Sequence, residues 1–290
     1  MARLQVRRWA GTMRESSRAS CHAAPDRRRT VVCKRLAAPR IRVPAPVAVL
    51  LHAGRPMARL KRLVVAGCAH HVVLRGLAAT PVFAAPEDFA RCTDLLVQWS
   101  RRLNVQVHAH ALMPTALHAL LTPQQAPALG QLVQALGREY TAAFNRRMGR
   151  RGTLWQGRFQ CAPVEPGPLL VSCMRYIEQA PVRHGLVPRA DAYAWSSASH
   201  HLGQGALAWL SDPAAYWRLG NTPFEREAAY AALLALPLDE AAVRLVEKAT
   251  AGGWALGSAA FIDRVSADTQ RRAAPGDRGR PRASRIVNAS

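Results

Sequence analysis

From residue 105 to residue 121 the sequence reads as sheet. Val105, Val107, Ala109 and Ala111 alternate with Gln106, His108 and His110, a period of two that predicts a strand. Met113-Pro114 interrupts it, and residues 117–121 predict another strand. Upstream, residues 63–74 are apolar enough for a strand that stops at Arg75-Gly76. Pro86 with Glu87 and Asp88 then opens a helix, because proline suits the first turn and acids suit the positive end of the helix dipole. Phe89, Cys92, Leu96, Trp99 and Leu103 continue it at helical spacing. Downstream, Leu129, Leu132, Val133, Leu136, Tyr140 and Phe144 trace one face of a long helix ending in the basic run 146–151. Residues 159–164 predict a fourth strand. Residues 168–179 predict a helix with Leu170, Cys173, Met174 and Ile177 inward. Strand, helix, two strands, helix, strand, helix is the order of an α+β sandwich, with helices on one face of a mainly antiparallel sheet.

The 290 residues, 49% hydrophobic and 20% charged, supply one substantial core. Beyond residue 186 the pattern turns helical: Trp195-Ser196-Ser197 reads as a capped start, and 225–236 and 239–250 as alanine-rich amphipathic helices. The expected organisation is a basic, disordered extension over 1–56, a main domain over 57–187, a helical extension over 188–268 and a loose basic tail over 269–290. Forty Lys and Arg against 18 Asp and Glu give a formal net charge of +22, a balance that attracts polyanions, nucleic acid first. The six cysteines are far apart and form no C-x-x-C pair, which fits a reducing compartment better than a zinc ribbon or a disulfide scaffold. No apolar run approaches the roughly 20 residues needed to span a bilayer. The expectation is a cytoplasmic protein without a membrane partner.

Seven separated motifs occur in an order that carries more information than any one of them. They are His70-His71-Val72-Val73-Leu74-Arg75-Gly76, the Met113-Pro114 to Pro123 segment, Phe144-Asn145-Arg146-Arg147, the stretch 152–159 around Trp155, Arg175-Tyr176-Ile177, the stretch 181–187, and Trp195-Ser196-Ser197. Over roughly residues 57–265 the chain resembles the REP-associated tyrosine transposases, single-tyrosine enzymes of the His-hydrophobic-His nuclease type. Met57-Ala58-Arg59-Leu60 also reads like a start of that family. The resemblance implies a ferredoxin-like antiparallel sheet, single-stranded or hairpin DNA as partner, and cleavage and strand transfer through a 5′ phosphotyrosine. A tyrosine attacks the phosphorus and keeps the bond energy for rejoining. Mg²⁺ or Mn²⁺ withdraws charge from the phosphate oxygens and orients the displacement.

Carried over residue by residue, the resemblance makes Tyr176 the nucleophile and His118 a metal ligand. The other strand ligand falls on Ala116, and the helix ligand, four residues after the tyrosine, falls on Ala180. Alanine has no coordinating atom, whereas a divalent cation needs a carboxylate, amide or imidazole anchor. His108 and His110 share a strand face, but in a continuous strand His110 would lie roughly 26 Å from His118. Only a hairpin at Met113-Pro114 would bring them together, and its register decides whether they share a face. Gln179 is a further substitute, three residues after the tyrosine. On packing grounds alone Tyr176 ranks no higher than Tyr140, and a histidine in an apolar strand is commonly a satisfied core residue. Arg146, Arg147, Arg150, Arg151 and Arg158 bracket Trp155, a mixture suited to phosphate neutralisation and base stacking. Trp155 also suits a core anchor. Arg75, Arg175 and Arg183 are further DNA-binding candidates. The leading reading is therefore a transposase-like DNA-binding protein with impaired cleavage. A non-catalytic, decayed or domesticated DNA-binding relative comes second and a basic RNA-binding protein third.

Overall fold

The computed structural model describes residues 61–276. The expected 1–56 extension, the start at Met57 and residues 277–290 lie outside them. Four strands, β1 (Ala69–Arg75), β2 (Val105–Met113), β3 (Ala116–Pro123) and β4 (Gln160–Val164), form one antiparallel sheet in the order β2-β3-β1-β4. Helix α1 (Pro86–Arg102) joins β1 to β2, and α2 (Ala126–Met148) joins β3 to β4. That connectivity and strand order make the domain an α+β, ferredoxin-like sandwich.

The two faces of the sheet carry different cores. Val72, Leu74, Leu112, Leu117 and Leu121 face α1 and α2, where Cys92, Leu95, Leu96, Leu129, Leu132, Leu136 and Tyr140 close the layer. Ala69, Ala109, Ala111, Leu120, Ala162 and Val164 face the opposite way. They are covered by α3 (Pro168–Glu178) and by side chains of the C-terminal helices, among them Tyr216, Tyr230 and Val246. Those helices are α4 (Ala180–Arg183), α5 (Ala198–His201), α6 (Ala214–Trp217), α7 (Pro223–Ala235), α8 (Glu240–Gly252) and α9 (Ala259–Thr269). Helices α1 and α2 thus lie on one face, as the element order indicates, and the C-terminal helices bury the other. The small residues of that second face let helices approach the sheet closely.

Three local features depart from the sequence expectations. β1 begins at Ala69 rather than near residue 63, because Gly67 (φ 71°) turns the chain and Cys68 donates its N–H to Val65 O. Trp195-Ser196-Ser197 does precede a helix, but Ser197 makes no side-chain cap to α5. Instead this segment lies along the β2 edge: Ser196 bridges to Ala111, Leu112 N–H donates to Trp195 O, and His110 N–H donates to Ser197 Oγ. An edge strand that would otherwise expose unpaired backbone groups is thereby covered. Finally, the chain stays packed past residue 269. Ala273 is fully buried and accepts the Ala255 N–H, while the Arg271 guanidinium donates to Gly253 O.

Candidate functional site

Met113-Pro114-Thr115-Ala116 is a tight hairpin whose end residues Met113 and Ala116 pair directly. Backbone N–H groups of Val82 and Phe83 donate to Pro114 O, and that of Gly76 donates to Thr115 O, so the turn carbonyls are satisfied. The register resolves the histidine question. His118 pairs with Ala111 and His110 with Ala119, and directly opposed residues share a face. His118 and His110 therefore lie on opposite faces of the sheet, and His110 does not replace the missing strand ligand. Its ring packs instead on Trp209 at 5.0 Å.

Under the second face, Tyr176 of α3 meets His118 of β3, with ring centroids 6.2 Å apart. His71 of β1 joins them: its ring meets Tyr176 edge-on at 5.4 Å, and its Nε2 lies 3.3 Å from His118 Nδ1. His71 and His118 are diagonal neighbours in the β1–β3 register. His71 Nδ1 bonds Thr250 Oγ1 at 2.8 Å, and the Tyr176 hydroxyl donates to Glu247 Oε1 at 3.4 Å, both partners on α8. Arg183 stacks on the Tyr176 ring at 4.2 Å and donates to Tyr176 O. Burial, then the charges of Arg75 and Arg183, lower His71 to about 3, and burial, then His71 and the same two arginines, hold His118 well below the ordinary value. Both imidazoles are neutral. Burial, reinforced by Glu247 and opposed by Arg183 and Arg75, raises the Tyr176 phenol to about 12. In a residue only 4% exposed, that phenol is a poor nucleophile as it stands.

Ala116 and Ala180 do converge. They pack with Met113 in a small buried cluster of their own, so the position that the resemblance reserves for Mg²⁺ or Mn²⁺ is filled by methyl groups and a thioether. The residues present do not fit that cation, and no step can be routed through it. Gln179 does not substitute: its Nε2 donates to Leu234 O and Leu236 O, each at 2.7 Å, which occupies the end of α7.

A second polar cluster was not legible in the sequence. Glu178, fully buried, accepts from the Ser197 hydroxyl at 2.5 Å, the Tyr230 hydroxyl at 2.7 Å and His201 Nδ1 at 2.6 Å. Among the described residues, His200, His201 and Asp212 form a group that could hold a metal ion, with ligand atoms all within 4.8 Å of one another. The protonation states argue for a proton there instead. Burial opposes charge on His201, but Glu178 and Asp212 outweigh it and raise His201 to about 9. His200 Nδ1 accepts the Leu207 N–H at 3.1 Å, so its Nε2 carries the proton directed at Asp212.

The basic candidates divide into two kinds. Arg147 is engaged bidentately by Asp88, tying the end of α2 to the start of α1. Arg175 donates to Leu236 O. Arg146, Arg150 and Arg151 lie around the exposed C-terminal end of α2, and Arg150 donates to Thr153 O. Arg75, Trp155 and Arg158 line one groove of about 510 Å³, together with Arg62, Arg138, Gln131, Gln134, Gln156 and Phe159. Among the described residues, no acidic side chain lines it. Trp155 is half-buried, with Tyr140 at 5.7 Å and Phe83 at 6.5 Å, and so contributes both to the core and to the groove wall. The charge of Arg75 also bears on His71, His118 and Tyr176, which links groove and tyrosine. Arg62 and Arg138 lacked any motif that would have singled them out.

Solved structures similar to this chain include two whose descriptions bear on the site. One is a REP-associated tyrosine transposase bound to a REP hairpin, with 17% identity and a TM-score of 0.42, covering 54% of this chain and 93% of that one. The other is a putative transposase from Deinococcus radiodurans R1, with 20% identity and a TM-score of 0.29, covering 40% of this chain and 88% of that one. No family profile and no curated protein matches the chain. Among the described residues, no helix is long and apolar enough to cross a membrane.

Proposed function

We propose that this protein is a transposase-like DNA-binding protein that holds single-stranded or hairpin DNA without cleaving it efficiently. The observation that carries the reading is the groove with four arginines, three glutamines, Trp155 and Phe159 and, among the described residues, no carboxylate. Guanidinium groups neutralise phosphates and release counterions, while glutamine amides and aromatic faces accept unpaired bases without demanding a sequence. Cleavage through a 5′ phosphotyrosine is the second reading, favoured by the assembly of Tyr176, His118 and Arg183. Against it stand the methyl groups at the expected metal position and the buried, hydrogen-bonded phenol.

Binding of a labelled single strand, followed by anisotropy over a salt series, tests the reading. Replacing Arg75 and Arg158 by alanine should weaken binding and reduce the slope of log K against log salt by about 1.4, since each phosphate contact on a single strand contributes roughly 0.7. The same change should not alter the melting temperature, as neither guanidinium forms an ion pair among the described residues. Unchanged affinity with an unchanged slope would place the nucleic acid elsewhere. Competition by the matching RNA strand separates DNA from RNA, because specific RNA recognition uses the 2′-hydroxyl.

A further inference from the structure

We propose that Arg62, stacked on Phe159, is the face on which a single unpaired base of bound DNA packs, so that one nucleotide of an otherwise sequence-tolerant strand is held at a fixed place. The stacking position rests on the reading of the groove as a DNA site and adds the residue that orders one base within it. The Arg62 guanidinium carbon lies over the Phe159 ring, 3.7 Å from its centre, and its Nε points to Phe159 O at 3.5 Å. Both side chains line the groove. A guanidinium laid on an aromatic ring is planar and weakly hydrated, and its uncovered side takes a base by the same stacking. Lysine, a compact and strongly hydrated point charge, offers no such plane.

Local structure holds this platform in place. Leu63, the next residue, is fully buried in one cluster with Phe261 and Val265, which anchors the backbone that carries Arg62. Gly157, at φ 58°, turns the chain between Trp155 and Phe159, and Phe159 packs against the core under α1 and α2. From α2 the groove is lined by Gly130 and Gly137, seven residues apart and so on one face of the helix. Glycine within a helix is less favourable than alanine. A Cβ at Gly130 would meet no atom within 4 Å, so packing does not require a glycine there, and what the missing side chain leaves is room in the groove. Trp155 suits the base less well: its Nε1 is buried, 3.6 Å from where a Gly137 Cβ would stand, and its ring is engaged by Tyr140. Burial, then the like charge of Arg158, hold the Arg62 guanidinium below its ordinary value, and a phosphate beside the stacked base relieves that repulsion.

The test uses the full chain and the shortest single strand of DNA that keeps full affinity, which has no spare length in which to slide. An abasic site is placed at each position in turn, and binding is followed by anisotropy. One position should cost about 5- to 150-fold in affinity, the worth of one stacked base, and the others much less. Arg62→Lys keeps the charge, so it should weaken binding of the intact strand by a similar factor, bind the strand lacking that base no more weakly than before, and leave the salt slope unchanged. Gly130→Leu puts a helix-favouring side chain where a Cβ has space; it should melt no lower than the unmodified protein and should likewise erase the difference between the two strands. A scan with no dominant position, or a dominant position whose cost persists in Arg62→Lys or in Gly130→Leu, would overturn the proposal. If replacing Arg75 and Arg158 changes neither affinity nor salt slope, the groove reading itself fails. If that change acts as expected while the abasic scan is flat, only the stacking position fails.

Discussion

Between pH 7 and pH 5 the protein should lose a large part of its folding stability. His70, His71 and His110 are fully buried and neutral, with burial as the leading cause, and are lowered to about 4, 3 and 4. Each folded value lies below the unfolded one of about 6.5, so the unfolded chain binds more protons as the pH falls. Stability from these groups is therefore complete above pH 6.5 and is lost on acidification. At about 1.4 kcal/mol per pH unit per group, three groups cost roughly 6 kcal/mol by pH 5, which is within the whole stability of a typical domain. His118 acts in the same direction. His201 has the opposite sign. Its folded value, about 9, is above the unfolded one, so its contribution is complete below pH 6.5 and lost as the pH rises through 9. Urea unfolding across pH 5–9 should give a maximum near pH 6.5 to 7 with the steeper fall on the acid side. A curve flat from pH 7 to pH 5 would show that these histidines are not buried and neutral as described.

The second expected result concerns the closed metal position. Ala116→His and Ala180→Asn return the side chains that the transposase resemblance calls for, but both project into a cluster already occupied by Met113. Made alone, the pair should overpack that cluster at a cost of about 1–3 kcal/mol for each insertion. With Met113→Ala to make room, the triple variant should fold and should form a covalent tyrosyl–DNA adduct on a hairpin substrate in Mg²⁺ or Mn²⁺. Adding Tyr176→Phe should remove the adduct, because the attacking oxygen is gone. A folded triple variant that forms no adduct would show that the cleavage defect lies in more than the missing ligands. The Glu247 hold on the tyrosine hydroxyl would then be the next place to look.

Much of this molecule can be read from its residues. Alternation from Val105 onward, the proline-and-acid start of α1 and the long apolar face of α2 are local signals, and each element formed where its own side chains dictate. The convergence of Tyr176 with His118 followed from the motif order. What could not be read depended on register. Whether His110 or His71 stands beside His118 is decided by which strands pair and by how far the hairpin slides, and nothing local encodes the β1–β3 pairing. Glu178 was invisible for a similar reason: its partners Ser197, His201 and Tyr230 come from three later segments. In the sequence, Ala116 and Ala180 read only as absences. In the structure they are contacts, because the space left by two ligands is closed around Met113.

A gel assay for protein–DNA adducts tests the central claim most directly, with the unmodified full chain, a panel of end-labelled hairpin and single-stranded DNAs, and Mg²⁺ or Mn²⁺. The same mixtures should be scored in parallel for non-covalent binding. The account predicts salt-sensitive binding with no Tyr176-dependent adduct above background. Robust adduct formation that needs the metal and vanishes in Tyr176→Phe would contradict it.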